Sequence, residues 1–474
     1  MSGLDAFLES YLDLARQIDP LRYPEPGSGE AAHRLGLFGP AAARAQLAAL
    51  RSVANAVEEL PVEALDDEID RTMLLNTIRA DVAGLDAAIG CETSNPARVI
   101  AHLNAALTRL MGEDFDAHAE AALRARVAAI PGFLEAARSD SRPAPELLVQ
   151  RARADADFLE SSTLDEASER LDDAAVQPAL VALVEHRRWL DEDDRVGGSF
   201  GWAAKPFESL LAAITTEPLG VKGTFRVLEL RRAGVERSLA GAAGELGGGD
   251  PFDLVQRLVA EAAVPGDLAP EYWDEEWTRT AAAMTALGLA PGDEAPDPVP
   301  DPLDGWSMAA RAVRGHAVRM LATARTTARR PVRRWLVAPG LDPGWGRSVA
   351  ALLRNTDVFG LPERRLMVSY LALREAAAAE ADLALHARLS SVDDVTARLG
   401  RAVGATGADL QGMMSEIAAE PLTALAAALS HEAWQSWYAD TGGEPADFIR
   451  SALAGGGLAV PLARWAAGEG GKGS

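Results

Sequence analysis

Cysteine is almost missing from this chain. Its 474 residues include one, Cys91, which excludes an internal disulfide and any cysteine-cluster metal site and fits a reducing cytoplasm. Positive charge is short as well: 46 Lys and Arg stand against 70 Asp and Glu, a formal net charge of -24. General affinity for nucleic acid or for an anionic membrane is therefore not expected. No unbroken apolar run reaches the ~18 residues that a membrane span needs. The opening MSGLDAFLESYLDLARQIDP carries acids within its apolar run and has no basic n-region, so no signal peptide is expected. The glycine clusters AGELGGGDP and LAGGGLAVP lack the strand-glycine-helix context of a phosphate loop and are expected to be turns. No alternating strand pattern of useful length occurs, and no short internal repeat.

Alanine and leucine are abundant, and apolar residues recur at spacings of three and four. RAQLAALRSVANAVEEL, DRTMLLNTIRADVAGLDAAI and RLMVSYLALREAAAAEADLALHARL each predict an amphipathic helix. Breakers such as PEPGSG and SNP separate them. The expected fold class is all-α. DEDDRVGGSFG (191–201) and the acidic, proline-rich APGDEAPDPVPDPLDG (290–305) divide the chain into blocks 1–195, 196–300 and 301–474, expected to pack as one unit.

Charge is segregated. Arg311, Arg314, Arg319, Arg325, Arg329, Arg330, Arg333, Arg334, Arg347 and Arg354 share their stretch with one acid, Asp342. That segment is +9, which leaves -24 - 9 = -33 for the remainder. Three readings stay open and can coexist. The arginines pair with acids on neighbouring helices; some form a pocket for a carboxylate, phosphate or sulfate; or they dock an acidic carrier or partner protein.

The motif order resembles the domain-of-unknown-function 885 family, bacterial helical proteins regarded as zinc peptidases of the gluzincin kind. That family carries His-Glu-x-x-Pro-Gly-His-His, an arginine pair, Glu-Gly-Trp-Ala-x-Tyr-Ala-Glu, an Asp-x-x-x-His helix and a Phe-His-x-x-x-Leu-x-x-Gly-x-x-Pro-Leu ending. Here ARAVRGHAVRML, ARRPVRR, DPGWGRSVA, DLALH and DFIRSALAGGGLAVPL follow in that order. The resemblance extends into the N-terminal half and implies a large gluzincin-like scaffold with a central cleft. The metal motif is degenerate. Ala310 and Arg311 replace His-Glu, Arg314 replaces Pro, Ala317 the last His and Pro343 the Glu before Gly-Trp; Gly315, His316, Gly344 and Trp345 remain. A hydrolytic zinc needs about three protein ligands and a base for its water. This stretch supplies one histidine, so no metal and no cofactor is expected. The second His-Glu pair, at His431, has Gln435 at i+4 and is expected on a surface helix.

Several residues could still do chemistry. His316 among arginines is expected to be a neutral base. Asp382 and His386, at i and i+4, share a helix face. Asp342, alone in the basic island, is expected to stay ionised or to cap a helix, and Glu416 lies where the resemblance implies polar groups. Arg311, Arg314, Arg330, Arg333, Arg334 and Trp345 are the expected binding groups. Cys91 has no basic partner nearby in sequence and is expected to be a buried thiol. Trp202 is expected to pack in the core at the entrance to a helix. The function expected is metal-independent elimination or intramolecular cyclisation of an anionic amino-acid-derived molecule, in the cytoplasm. A catalytically dead binding or scaffold subunit is the alternative. A zinc hydrolase with ligands from His316, Asp342, His386 and Glu416 is the third.

Overall fold

A computed structural model of the chain describes residues 3–22, 30–36, 39–112, 115–140, 142–202, 204–215, 219–291 and 304–468. The described residues are all-α, as the three- and four-residue spacing predicts. The only extended pairings among them are two isolated bridges, Ala144 with Val196 and Ala263 with Asp304. In chain order the helices are α1 (Gly3–Ile18), α2 (Pro40–Glu58), α3 (Leu65–Gly90), α4 (Pro96–Thr108), α5 (Ala117–Arg138), α6 (Glu146–Phe158) and α7 (Asp165–Arg170). Next come α8 (Asp173–Leu190), α9 (Ala204–Thr215), α10 (Gly220–Glu245), α11 (Pro251–Glu261), α12 (Ala269–Ala286), α13 (Gly305–Thr326) and α14 (Pro331–Trp335). The last are α15 (Leu341–Leu353), α16 (Pro362–His386), α17 (Val392–Val403), α18 (Gly407–Ala419), α19 (Thr423–Thr441), α20 (Pro445–Leu453) and α21 (Val460–Ala466). None is long and apolar enough to cross a membrane.

Local chemistry sets many of the starts. Asp116, Asp172, Asp250 and Asp304 accept backbone N–H groups at the heads of α5, α8, α11 and α13, and each supplies an acceptor that a helix terminus otherwise lacks. The proline-rich segment proposed as a boundary lies mostly outside the described residues, but its last aspartate, Asp304, is the cap that opens α13. The largest core joins distant parts of the chain. Leu8 and Leu12 of α1, Leu74 and Ile78 of α3, Val313 of α13, Trp345 of α15 and Trp434 of α19 form one cluster of buried side chains.

The middle of the molecule is a crossing of α13, α15, α16 and α19 with α10 beside it. Helix α15 approaches α19 closely where glycine stands at its N-cap and in its first turn. Gly340 has φ +69°, and a Cβ there would lie 2.3 Å from the Ala426 carbonyl carbon. A Cβ on Gly344 would lie 2.5 Å from Ser430 Cβ. Neither position has room for a side chain. Gly344→Ala is expected to lower stability by about 1–3 kcal/mol through overpacking, read as a lower urea midpoint with an unchanged m-value. An unaltered midpoint would show that α15 can slide away from α19.

Candidate active site

Five of the ten island arginines, Arg314, Arg325, Arg330, Arg333 and Arg347, are built into ion pairs. Arg330 meets Asp70 and Asp67 of α3. Arg333 holds Asp70 at 2.7 Å and Asp66 at 2.6 Å, and its hydrogen bond holds the Asp66 carboxyl below its ordinary range. Arg325 pairs with Asp342 at 3.0 Å, Arg334 donates to the Ala328 carbonyl at 2.9 Å, and Arg319 lies over the Trp277 ring. The expectation that Arg330, Arg333 and Arg334 bind substrate is therefore corrected: they stitch α14 and its approach to α3 and to the local backbone. Asp342 sits in the first turn of α15 without capping it, and its carboxylate faces Arg325.

His316 is also corrected. It is fully buried, its Nε2 donates to the Trp277 carbonyl at 3.0 Å, and the Trp277 ring lies 3.7 Å away, centroid to centroid. The indole covers the buried ring. Trp345 is buried too, with Nε1 donating to the Ala317 carbonyl at 2.9 Å, and packs on Trp434. Arg311 is half-buried on α13, and Glu416 is exposed on α18. Among the described residues no three His, Cys, Asp or Glu groups gather where they could hold a metal. The described residues thus do not fit the zinc that the resemblance implies.

Arg314 turns inward. Its Nη1 and Nη2 donate to Glu375 of α16 at 2.7 and 3.2 Å, and Arg347 Nε reaches the same carboxylate at 3.0 Å. Arg231 of α10 donates Nη1 to the Ala428 carbonyl at 2.8 Å, with Glu432 at 3.6 Å from its Nε. Beside them lies His431, which the sequence pattern places on a surface. It is buried, 3.0 Å from Ser348 Oγ, because small Gly344 and Ser348 let α15 and α19 close over it. Burial first, then Arg231, Arg347 and Arg314, push its imidazolium well below the ordinary range. Burial pushes the Glu432 carboxyl up against the pull of Arg231.

The remaining pair behaves differently. Asp382 and His386 close the C-terminal half of α16, both buried. Asp382 Oδ1 accepts from Leu422 N at 2.8 Å and Oδ2 from Leu425 N at 3.1 Å, so it caps α19 from another helix. The same Oδ1 lies 2.8 Å from His386 Nδ1. That contact places the proton on Nδ1 and leaves the lone pair on Nε2, which has no hydrogen-bond partner. His386 lines a cavity of ≈ 510 Å³ between α2, α3, α4, α8 and the approach to α9.

The cavity also gathers residues that sequence spacing could not connect: His102, His186, Trp189, Trp202 and Cys91. His186 is buried with neither ring nitrogen hydrogen-bonded; burial, aided by Arg138, pushes its pKa down to about 4. Cys91 is half-exposed on the wall rather than buried, with its thiol 3.7 Å from the Gly201 carbonyl. Trp202 is half-buried against the His386 ring at 5.5 Å. Exposed Arg44 and Arg98 stand at the edge, Arg98 in the first turn of α4. An apolar pocket with a few convergent polar groups is the usual form of a small-molecule site. The expected constellation thus divides. Asp382 and His386 stay together, whereas His316, Asp342, Glu416 and the island arginines do not reach this cavity.

No family model and no curated protein matches the chain. Its fold is similar to that of a lipoprotein candidate of unknown function from Shewanella oneidensis, with TM-score 0.71 and 14% identity over 98% of both chains. A second lipoprotein candidate, from Colwellia psychrerythraea, aligns with TM-score 0.72 and 12% identity over 97% of both. At such identity the likeness establishes the fold alone.

Two outcomes follow from these surroundings. Glu375→Gln leaves two half-buried guanidiniums without their shared anion, and a loss of roughly 3–5 kcal/mol is expected, measured by urea unfolding; a loss below 1 kcal/mol would show the pair to be solvent-screened. For His186 the folded pKa near 4 lies below the ordinary 6.5. The unfolded chain binds more protons in that window, so stability present above pH 6.5 is lost as pH falls toward 4, by about 3 kcal/mol at most. Unfolding free energies over that range should slope less in His186→Leu than in the wild type, and equal slopes would contradict the assignment.

Proposed function

We propose that the chain is a metal-independent enzyme that binds an anionic, amino-acid-derived small molecule in the His386 cavity and catalyses its elimination or intramolecular cyclisation in specialised metabolite biosynthesis. The observation that carries this reading is the orientation of one imidazole. Asp382 fixes the tautomer, is itself held by two backbone N–H groups of α19, and leaves Nε2 as a buried nitrogen without a hydrogen-bond partner on a residue of the cavity wall. That is the arrangement a general base requires.

In this scheme His386 Nε2 takes a proton from a C–H or N–H of the substrate. The electron pair released forms the new double bond or closes the ring, and the leaving group departs with its own pair as an anion. Asp382 offsets the positive charge that develops on the imidazole. Arg44, Arg98 and the N-terminal turn of α4 supply the positive potential toward which the substrate's anionic part and the departing group are drawn. His186, held neutral by burial, can exchange hydrogen bonds without adding charge. Metal independence rests on the donor set, since among the described residues no three His, Cys, Asp or Glu groups come together where they could hold a metal. A peptidase-like ancestry with a lost metal, and a cytoplasmic setting, belong to the same proposal. The lone thiol supports the latter, and the lipoprotein description belongs to neighbours that share the fold.

Untargeted mass spectrometry of a small-molecule extract incubated with chelator-treated protein tests the scheme. One anionic metabolite should be consumed and a product lighter by the leaving acid should appear. His386→Gln should slow that conversion by roughly 10²-fold or more while the circular dichroism spectrum stays unchanged. Turnover that survives His386→Gln, or that requires added metal, would remove the proposed base. Retention of a metabolite without conversion would turn the reading to a binding subunit.

A further inference from the structure

We propose that the crossing of α10, α13, α15, α16 and α19 is a second site, for a small oxyanion, formed by the guanidinium groups of Arg231, Arg314 and Arg347. Each of the three carries a buried N–H without a hydrogen-bond partner: Nε and Nη2 of Arg231, Nε of Arg314 and Nη1 of Arg347. Their side chains are 2%, 21% and 17% exposed, so bulk water reaches them poorly. A buried donor left unpaired is costly, and a buried cation without its anion more so.

The acids nearby do not balance the charge. Glu375 is shared between Arg314 and Arg347 through the same Oε1. Glu432, at 3.6 Å from Arg231 Nε, is too far for a hydrogen bond, and burial disfavours its ionised form. His431 is held neutral and contributes no opposing charge. Three cations therefore face two carboxylates, one of them poorly placed. The spare donors come from three helices. A tetrahedral or planar oxyanion offers several acceptor oxygens and can satisfy them together, where a halide offers a single centre. None of the three arginines lines the His386 cavity, so this site stands apart from the proposed reaction.

Equilibrium dialysis of the intact protein against radiolabelled sulfate, at fixed ionic strength in a chloride background, provides the test. One saturable site per chain is expected, displaced by phosphate and less effectively by acetate. Arg231→Met and Arg347→Met should each weaken sulfate by about tenfold or more, the scale of one lost charge-assisted hydrogen bond. Arg98→Met, at the mouth of the other cavity, should leave it unchanged. Hydrogen exchange of the wild-type protein should slow with sulfate in residues 220–245, 305–326 and 341–353, which locates the site even if a methionine variant fails to fold. Absence of saturable uptake, uptake undiminished in both methionine variants, sulfate lost in Arg98→Met, or protection confined to other segments would each overturn the proposal.

Discussion

One buried carboxylate ties the architecture to the chemistry. Asp382 lies inside the molecule on α16, where an isolated charge would be prohibitively expensive. It is stable there because Leu422 N and Leu425 N at the head of α19 both point at it, and because His386 meets it from the next turn. The helix gains acceptors for its orphan N–H groups, and the carboxylate gains the donors that replace water. Backbone and imidazole thus fix the same group. The pair is held from two helices, α16 and α19, which is the support that the proposed base would need.

The basic island illustrates how composition and geometry differ. Ten arginines with one acid look like a ligand surface when read along the chain. In three dimensions the partners come from far away in sequence: Asp66, Asp67 and Asp70 of α3 for the α14 region, and Glu375 of α16 for Arg314 and Arg347. Arginine suits such junctions because its planar fork can hold two carboxylates or one carboxylate bidentately. Arg330 and Arg333 thus wire the last third of the chain to α3, with which it also shares the largest core, while Arg314, Arg325 and Arg347 tie helices within that third. Arg314 and Arg347 turn inward and meet Arg231 of α10, where donors outnumber acceptors.

Glycine and the other small residues do the complementary work. Gly340, Gly344 and Ser348 let α15 lie almost against α19, and that approach buries His431, for which Gln435 at i+4 suggests a surface helix. The same closeness seals Trp345 onto Trp434. Trp277 does the equivalent for His316 on the other face of α13. Two histidines, His316 and His431, and one tryptophan, Trp345, that resemble functional residues in a linear motif are, in the folded protein, parts of helix packing.

The sequence alone determined that the protein is helical, because a three- and four-residue apolar period survives any tertiary context in which one face must be buried. It also determined the Asp382-His386 pair, since i and i+4 share a helix face wherever the helix lies. Cys91, His102, His186 and Trp202 come from four different segments, and no local pattern connects them. The partners of the island arginines are hidden for the same reason, being up to 267 residues away along the chain. Only the tertiary structure decided which histidine stands in a cavity wall and which is closed beneath an indole. That choice depends on how closely whole helices approach, and the approach is set by packing across the molecule rather than by any residue's immediate neighbours.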